Sequence, residues 1–203
     1  MPALPAFQPL VDALDGHERV LDLGCGTGRL ANLLVEQGHD VVAVDFSSDM
    51  LAYVDRRARP LQADIQSLDL GERFDVVVLA SNLVNTGSDT ARENFMATCA
   101  RHVAPGGRVF VEHHPPEWIS TIHEHERRTG KVTIRLQVLR RNGNIYTAIQ
   151  DYYLGERHWR EQFTGAVVDH AMLTALLHRH DLVEHERLTP RWLVAGLRPS
   201  PSR

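Results

Sequence analysis

The chain has 203 residues, of which 43% are hydrophobic and 24% charged, and its formal net charge is -4. This composition is typical of one globular domain with a sizeable core, which we expect to span residues 1–203. The acidic balance argues against a protein that neutralises many phosphates, so we expect a small-molecule partner and no nucleic acid. No window approaches the roughly 20 apolar residues of a membrane-spanning helix, and no membrane partner is expected.

The N-terminus and the cysteines indicate a reducing compartment. The first residues lack the basic start and the apolar stretch of a secretory signal. Cys25 lies in a glycine-rich turn and Cys99 in a predicted helix, so we interpret them as two separate reduced thiols. We therefore expect a cytoplasmic protein, either a monomer or a homodimer.

Short β-branched runs alternate with amphipathic helical stretches through the first half of the chain. This order predicts a parallel sheet covered by helices, because parallel strands need crossover connections. Leu30, Leu33 and Leu34 mark the apolar stripe of one such helix. Several of the strands are apolar on both faces; the predicted strands are Arg19–Leu23, Asp40–Asp45, Pro60–Ala63, Phe74–Ala80 and Arg108–His113.

The second half of the chain follows a different pattern. Lys131–Arg140 alternates apolar and polar residues, which is typical of an antiparallel strand. Asn142-Gly143 is a strong hairpin signal, and further strands are predicted at Ile145–Leu154 and His158–Phe163. We expect residues 131–163 to form an inserted element of three antiparallel strands. A helix and two strands close the chain, at Met172–Leu177, Leu182–Leu188 and Trp192–Leu197.

The sharpest motif is a strand that runs into a glycine-rich turn, Val20-Leu21-Asp22-Leu23-Gly24-Cys25-Gly26-Thr27-Gly28. Glycines let the backbone approach a ligand closely, and the helix that follows presents free N–H groups. Asp45 ends the next strand, at the position where a carboxylate can bind a ribose diol.

The loop departs from the dinucleotide fingerprint G-x-G-x-x-G, because its third glycine falls one place early, at Gly28. The carboxylate of Asp22 would repel a pyrophosphate, whereas it would attract an ammonium or sulfonium group. The expected cofactor therefore carries positive charge near the loop and a ribose farther on, as S-adenosylmethionine does.

At this point the sequence resembles the class I S-adenosylmethionine-dependent methyltransferases. The resemblance implies that the first motif binds the cofactor through Asp22, Gly24, Cys25, Gly26, Thr27 and Gly28. Asp45 resembles the ribose-binding acid, with Phe46 and Met50 flanking the nucleoside. Ala63-Asp64-Ile65 is similar to the adenine-binding segment, in which Asp64 takes the exocyclic amine and Ile65 packs on the ring. Ser81 and Asn82 occupy the place where the family lines the methionine and the methyl-transfer site.

The resemblance covers residues 18–113 closely and resumes at 163–198. It implies an α/β fold with a Rossmann-like, mostly parallel seven-stranded sheet, order 3-2-1-4-5-7-6, flanked by helices. Residues 131–163 then form an antiparallel subdomain inserted after strand 5, as a substrate lid or an interface. The implied reaction is methyl transfer to the oxygen or nitrogen of a small metabolite or natural product, with release of S-adenosylhomocysteine. A non-catalytic cofactor-binding protein and an aminopropyl transferase on the same fold stay open as alternatives.

Other acceptor classes are disfavoured by the motifs at the ends of strands 4 and 5. Amino-methylating DNA enzymes of this class carry N/D-P-P-Y/F after strand 4, where this chain has Ser81-Asn82-Leu83-Val84-Asn85. Neither His113-His114 nor His123-Glu124-His125 has partners at a recognisable zinc-ligand spacing, so we expect no metal.

Two groups of residues are candidates for the acceptor side. His113 and His114 end the fifth strand and can accept a proton at neutral pH; His113 stands slightly ahead because it shares a face with Val109 and Val111. Aromatic residues in and before the insertion can enclose an acceptor or fill the core of the insertion; they are Trp118, Tyr152, Tyr153 and Trp159.

Overall fold

The computed structural model describes residues 6–199. The helices of this part are α1 (Gln8–Asp12), α2 (Arg29–Glu36), α3 (Ser48–Leu51), α4 (Asp89–His102), α5 (Pro116–Thr121) and α6 (His170–Arg179). The strands are β1 (Arg19–Leu23), β2 (Asp40–Asp45), β3 (Pro60–Gln62), β4 (Phe74–Leu79), β5 (Val103–Glu112), β6 (Glu124–Thr129), β7 (Val132–Asn142), β8 (Ile145–Leu154), β9 (Arg157–Ala166), β10 (Leu182–Thr189) and β11 (Trp192–Leu197). Among these residues, no helix has the length and apolar character needed to cross a membrane.

The larger sheet has seven strands in the order β10-β11-β5-β4-β1-β2-β3. Numbered within this sheet alone and taken from β3, the order is 3-2-1-4-5-7-6, so the predicted topology is confirmed. The strands from β3 to β5 pair in parallel, and β11 runs antiparallel to both β5 and β10. The carboxyl ends of β1, β2, β4 and β5 therefore meet at one edge, where open α/β sheets bind ligands.

Helices cover both faces of this sheet, which explains why its central strands carry apolar residues on both faces. Leu21 and Val77 pack on one face with Met96 of α4 and residues of α6. Val20 packs on the opposite face with Leu34 of α2. Because successive strand residues point to opposite faces, β1, β2, β4 and β5 each contribute to both cores.

A separate antiparallel sheet, ordered β6-β7-β8-β9, follows β5 and α5. The insertion was expected to have three strands; the structure adds β6 and extends the sheet over Glu124–Ala166. Five of the six residues of β6 are exposed, so this edge strand has no apolar alternation that the sequence could display. Its pairing with β7 holds it in the sheet.

The smaller sheet lies against the carboxyl edge of the larger one. Tyr146 and Ala148 of β8 form a small core with Ile119 of α5. Asn85, in the 3-10 turn after β4, donates from Nδ2 to the carbonyl oxygen of Ala166 at 3.0 Å. These contacts place the insertion next to the end of β4.

Candidate active site

Three glycines with positive φ shape the turn between β1 and α2, with values of 71° at Gly24, 56° at Gly26 and 73° at Gly28. The N–H of Gly24 donates to the carbonyl oxygen of Val44 at 2.8 Å, which fixes the turn to β2. A Cβ on Gly24 would lie 2.6 Å from Cδ1 of Leu83, whereas a Cβ on Gly26 would meet nothing within 4 Å. The backbone at Gly26 therefore borders open space that a ligand can enter.

Asp45, at the end of β2, is in direct contact with this loop. Its Oδ2 accepts a hydrogen bond from the N–H of Gly26 at 2.8 Å, and its Oδ1 accepts one from the N–H of Ser47 at 2.9 Å. A carboxylate offers about four acceptor positions, so capacity for a diol remains. The structure thus brings together the glycine loop and the acid that the sequence paired with it.

Asp22 lies in β1 and is only 2% exposed. Its Oδ2 is buried and has no hydrogen-bond partner among residues 6–199. Burial, reinforced by the negative charge of Asp45, raises the pKa of this carboxyl to about 7. An unpaired buried carboxylate is costly, so the arrangement favours a ligand that brings a positive charge to this point.

The residues proposed for the nucleoside lie around the same loop. Phe46 and Met50 expose 78% and 46% of their surface, which is unusual for large apolar side chains. Asp64 is exposed, whereas Ile65 is buried with its Cδ1 3.7 Å from the position of a Cβ on Gly24. Phe46 and Met50 therefore offer exposed apolar surface near the glycine loop.

The end of β4 has two consecutive residues in the left-handed region, with φ of 58° at Ser81 and 56° at Asn82. Glu112, at the end of β5, is 3% exposed; its Oε2 accepts from the N–H of Ser81 at 2.8 Å and its Oε1 from Nη2 of Arg191 at 2.9 Å. Neither Glu112 nor Arg191 is among the site residues predicted from the sequence. A carboxylate at the end of an otherwise apolar strand was the available signal for Glu112.

His113 follows β5 directly and is 2% exposed. Its Nδ1 lies 3.1 Å from the carbonyl oxygen of His114, and its Nε2 lies 3.5 Å from Nη1 of Arg187. It lines a cavity of about 500 Å³ together with Arg187 and His170. Burial lowers the pKa of His113. Both ring nitrogens thus have neighbours within the protein.

His114 lies at the junction of the two sheets. Its N–H donates to Oδ1 of Asn85 at 2.8 Å, and its imidazole packs on Trp118 with the ring centroids 5.2 Å apart. Its Nδ1 is buried and has no hydrogen-bond partner among the described residues. Burial, with a smaller contribution from Arg191, lowers the pKa of His114 to about 4, so the ring is neutral at physiological pH.

The four aromatic candidates fall into two places. Tyr152 and Trp159 are opposite each other on β8 and β9 and share a face with Tyr146, whose small core includes Trp118. Tyr153 points to the other face, where its ring stacks on His158 at a centroid distance of 4.7 Å. Strand alternation therefore separates Tyr153 from the other three.

The two cysteines are unpaired, and the described residues form no metal site. Cys25 and Cys99 are both free thiols, and burial raises the pKa of each. Within residues 6–199, no three His, Cys, Asp or Glu side chains are grouped to hold a metal ion.

The chain is similar in sequence to a methyltransferase family and to several curated methyltransferases. Residues 20–107 match the family model described as "Methyltransferase domain". The cypemycin N-terminal methyltransferase of a Streptomyces species is 38% identical over 105 residues, which are 49% of this chain and 42% of that protein. The dTDP-3-amino-3,4,6-trideoxy-alpha-D-glucopyranose N,N-dimethyltransferase of Streptomyces venezuelae is 30% identical over 159 residues, 70% of this chain and 65% of that one. The chain thus spans less than two thirds of the length of either relative.

Solved structures share the fold over nearly the whole chain. An S-adenosylmethionine-dependent methyltransferase from Clostridium acetobutylicum has a TM-score of 0.77 at 16% identity, covering 95% of this chain and 88% of its own. CalS10, an amino pentose methyltransferase from Micromonospora echinaspora solved with S-adenosylmethionine, has a TM-score of 0.71 at 23% identity, covering 94% and 87%.

Proposed function

We propose that this chain, which contains a class I methyltransferase domain, transfers a methyl group from S-adenosylmethionine to the oxygen or nitrogen of a small-molecule acceptor and releases S-adenosylhomocysteine. The observation that carries the proposal is the buried Oδ2 of Asp22, which has no hydrogen-bond partner among residues 6–199, near the open space at Gly26. S-adenosylmethionine has an ammonium and a sulfonium group, so it can supply a cationic partner for the side chain of Asp22.

The residues around the loop fit the rest of that molecule. Asp45 would hold the ribose diol, since its oxygens keep free acceptor positions beside the Gly26 amide. Phe46 and Met50 would cover the nucleoside, and Asp64 and Ile65 would contact the adenine. The methionine end would then lie against the loop residues and the end of β4; this group comprises Gly24, Cys25, Thr27, Gly28, Ser81 and Asn82.

The same electrostatics disfavour a dinucleotide. A pyrophosphate at the start of α2 would carry two negative charges close to Asp22 and Asp45. Like charges at this separation repel, most strongly where the surroundings are apolar. Binding of NAD is therefore expected to be much weaker than binding of S-adenosylmethionine.

The acceptor side has to align a nucleophile and to take its proton. When bound, S-adenosylmethionine supplies the activated methyl group. Of the two candidate bases, His114 has the unpaired Nδ1 and lies at the junction of the two sheets, whereas the nitrogens of His113 face Arg187 and a carbonyl oxygen. We place His114 first as the proton acceptor and keep His113 as the second candidate.

The inserted sheet supplies the proposed walls of the acceptor cleft. Tyr152 and Trp159 share the face of the inserted sheet that packs on Trp118 of α5, and we assign these three aromatic residues to the acceptor cleft. Tyr153 lies on the opposite face, where it stacks on His158, so we do not assign it this role. Both curated relatives described above are named for methylation of amines, which makes small amines the first acceptors to test.

The cysteines and the net charge bear on compartment and partners. The two unpaired cysteines suit the cytoplasm. We expect a monomer or a homodimer acting on a small molecule, with no nucleic-acid acceptor, because the net charge is -4.

Calorimetric titration with S-adenosylmethionine, S-adenosylhomocysteine and NAD tests the cofactor. Asp45→Ala removes charge-assisted hydrogen bonds worth about 1.5 to 3 kcal/mol each, so affinity should fall at least tenfold. Asp45→Asn keeps one acceptor oxygen but removes the negative charge. Comparing it with Asp45→Ala therefore distinguishes the hydrogen bond that supports the loop from the effect of the charge on binding. Asp40→Ala, at the opposite end of β2, is the matched control and should bind as the wild type does.

Catalysis is tested by measuring S-adenosylhomocysteine formation with a panel of small amines and alcohols. Turnover with any acceptor supports a transferase. Tight cofactor binding without turnover across the panel favours the non-catalytic alternative, and a preference for the decarboxylated cofactor favours aminopropyl transfer. Unchanged affinity in a folded Asp45→Ala variant would contradict the assignment of the cofactor site.

A further inference from the structure

The side chain of Arg191, in the turn of the β10–β11 hairpin, reaches the end of β4. Nη2 of Arg191 lies 2.9 Å from Oε1 of Glu112 and 3.3 Å from Oδ1 of Asn82, and it donates to both. The other carboxylate oxygen of Glu112 accepts from the N–H of Ser81 at 2.8 Å. Arg191, Glu112, Ser81 and Asn82 therefore form one connected network, which we call the hairpin clamp.

The turn that the clamp holds is unfavourable without support. Ser81 and Asn82 are adjacent and both have positive φ, a conformation that costs energy for residues with a Cβ. Asparagine tolerates this region better than serine does. The hydrogen bond from the N–H of Ser81 to a buried carboxylate is thus a direct support for the strained residue.

The same turn touches the cofactor loop. Leu83, which follows Asn82, packs so closely on Gly24 that a Cβ there would lie 2.6 Å from its Cδ1. A shift of the turn would therefore move either Leu83 or the glycine loop. Interiors are packed densely, so such a shift cannot be absorbed locally.

The backbone of Arg191 is held by two hydrogen bonds. Its carbonyl oxygen accepts from the N–H of His113 at 2.8 Å, and its own N–H donates to Oγ1 of Thr189 at 3.1 Å. The carboxylate of Glu112 is 4% exposed, whereas the side chain of Arg191 is 46% exposed. The guanidinium of Arg191 thus covers the buried carboxylate of Glu112 on the side that faces solvent. Removing the guanidinium would leave that carboxylate without a cationic partner.

We propose that Arg191 is a positioning residue for methyl transfer, which acts through Glu112 to hold Ser81 and Asn82 in the geometry that the cofactor and acceptor need. The inference rests on the proposed function, because the end of β4 matters only if the methionine end of the cofactor binds there. It assigns a role to the C-terminal hairpin, which contributes none of the residues selected from the sequence.

The test compares Arg191→Ala, Arg191→Lys and the wild type by calorimetric titration with S-adenosylmethionine and by hydrogen exchange of the Ser81 amide. In Arg191→Ala we expect affinity to fall on the order of tenfold and the Ser81 amide to exchange at least about tenfold faster. Arg191→Lys restores a cation and should recover part of both. Arg19→Ala is the control, since Arg19 is 41% exposed and pairs with Glu72 at the other end of β1.

The outcomes separate this inference from the proposed function. A wild type that does not bind S-adenosylmethionine overturns the proposed function. A wild type that binds it, with Arg191→Ala equal in affinity and in Ser81 exchange, overturns only the role of Arg191. A general loss of stability would speed exchange in β4 as well, whereas the clamp predicts a change confined to the turn. Should Arg191→Ala not fold, Arg191→Gln takes its place with the same expectations.

Discussion

The carboxylate of Asp45 acts on the carboxyl of Asp22: its negative charge adds to the effect of burial and raises the pKa of Asp22 to about 7. The two acids end or approach the end of neighbouring strands, and Asp45 is held in place by the Gly26 and Ser47 amides. Such a pair of like charges destabilises the protein alone and attracts a cation. We therefore attribute the pair to the proposed cofactor binding and not to stability.

The first prediction concerns the stability of Asp22→Asn without ligand. The pKa of Asp22 rises from an ordinary 3.8 to about 7 on folding, so the folded state favours the neutral acid. Its stabilisation is complete below pH 3.8 and is lost as the pH rises through about 7. Asn cannot ionise. The free energy of unfolding of the variant, relative to that of the wild type, should therefore rise by up to about 1.4 kcal/mol per pH unit between pH 3.8 and about 7.

Urea unfolding of both proteins at pH 5, 6, 7 and 8 measures this difference. A constant gap across that range would contradict the raised pKa. The same variant should lose affinity for S-adenosylmethionine, because it lacks the charge. Wild-type binding near pH 6 should release protons, which calorimetry in buffers of different ionisation enthalpy detects, and Asp22→Asn should not show this release.

The second prediction contrasts two glycines of the loop. Gly24→Ala would place a Cβ 2.6 Å from Cδ1 of Leu83 and would add the strain of a positive φ, so we expect a loss of about 2 to 5 kcal/mol in the free energy of unfolding. Gly26→Ala meets nothing within 4 Å and should cost only the strain of a positive φ, about 1 to 2 kcal/mol. It should nevertheless impair cofactor binding, because its methyl group projects into the space proposed for the ligand. Equal binding by wild type and Gly26→Ala would place the ligand elsewhere.

The third prediction concerns His114 as a base. Replacement by Gln should lower turnover by about 10² to 10⁴-fold at saturating cofactor, the usual size of a general-base effect. Because the pKa of His114 is lowered to about 4, turnover should show no loss attributable to this residue near pH 6.5. His113→Gln, measured beside it, should have the smaller effect; the reverse order would make His113 the base.

His114 also gives a stability signature with a definite sign. The pKa of His114 falls from 6.5 to about 4 on folding. The contribution of this residue to the free energy of unfolding is therefore present above pH 6.5 and is lost as the pH falls towards 4. His114→Gln should therefore lose less stability than the wild type over this acid range. Unfolding midpoints at several pH values check the point.

The fourth prediction uses neighbouring tyrosines that point to opposite faces of β8. Tyr152→Ala and Trp159→Ala should raise the Michaelis constant for the acceptor with little change for the cofactor, because both line the proposed cleft. Tyr153→Ala is the matched control and should leave that constant unchanged, although it loses its stacking on His158. Changes confined to stability in all three variants would indicate that these rings only fill the insertion.

Much of the fold and part of the site could be predicted from local patterns. The order of strands and helices follows from hydrophobic periodicity, which depends on residues a few positions apart. The glycine loop and Asp45 could be paired because a short strand and turn motif carries its own geometry. The strand β6 could not be predicted, since its charged residues acquire strand geometry only by pairing with β7.

Local sequence patterns predicted the alternation of strands and helices and the glycine loop, and the family resemblance supplied the order of the strands in the sheet. The pairing of charges, in contrast, depends on the tertiary structure. Glu112 and Arg191 are 79 positions apart, and their contact exists only because β11 returns beside β5. The Oδ2 atom of Asp22 lacks a partner for the same kind of reason, since no segment within residues 6–199 brings a donor to it. Burial and pairing depend on distant segments meeting in space, and no short-range pattern in the sequence specifies those meetings.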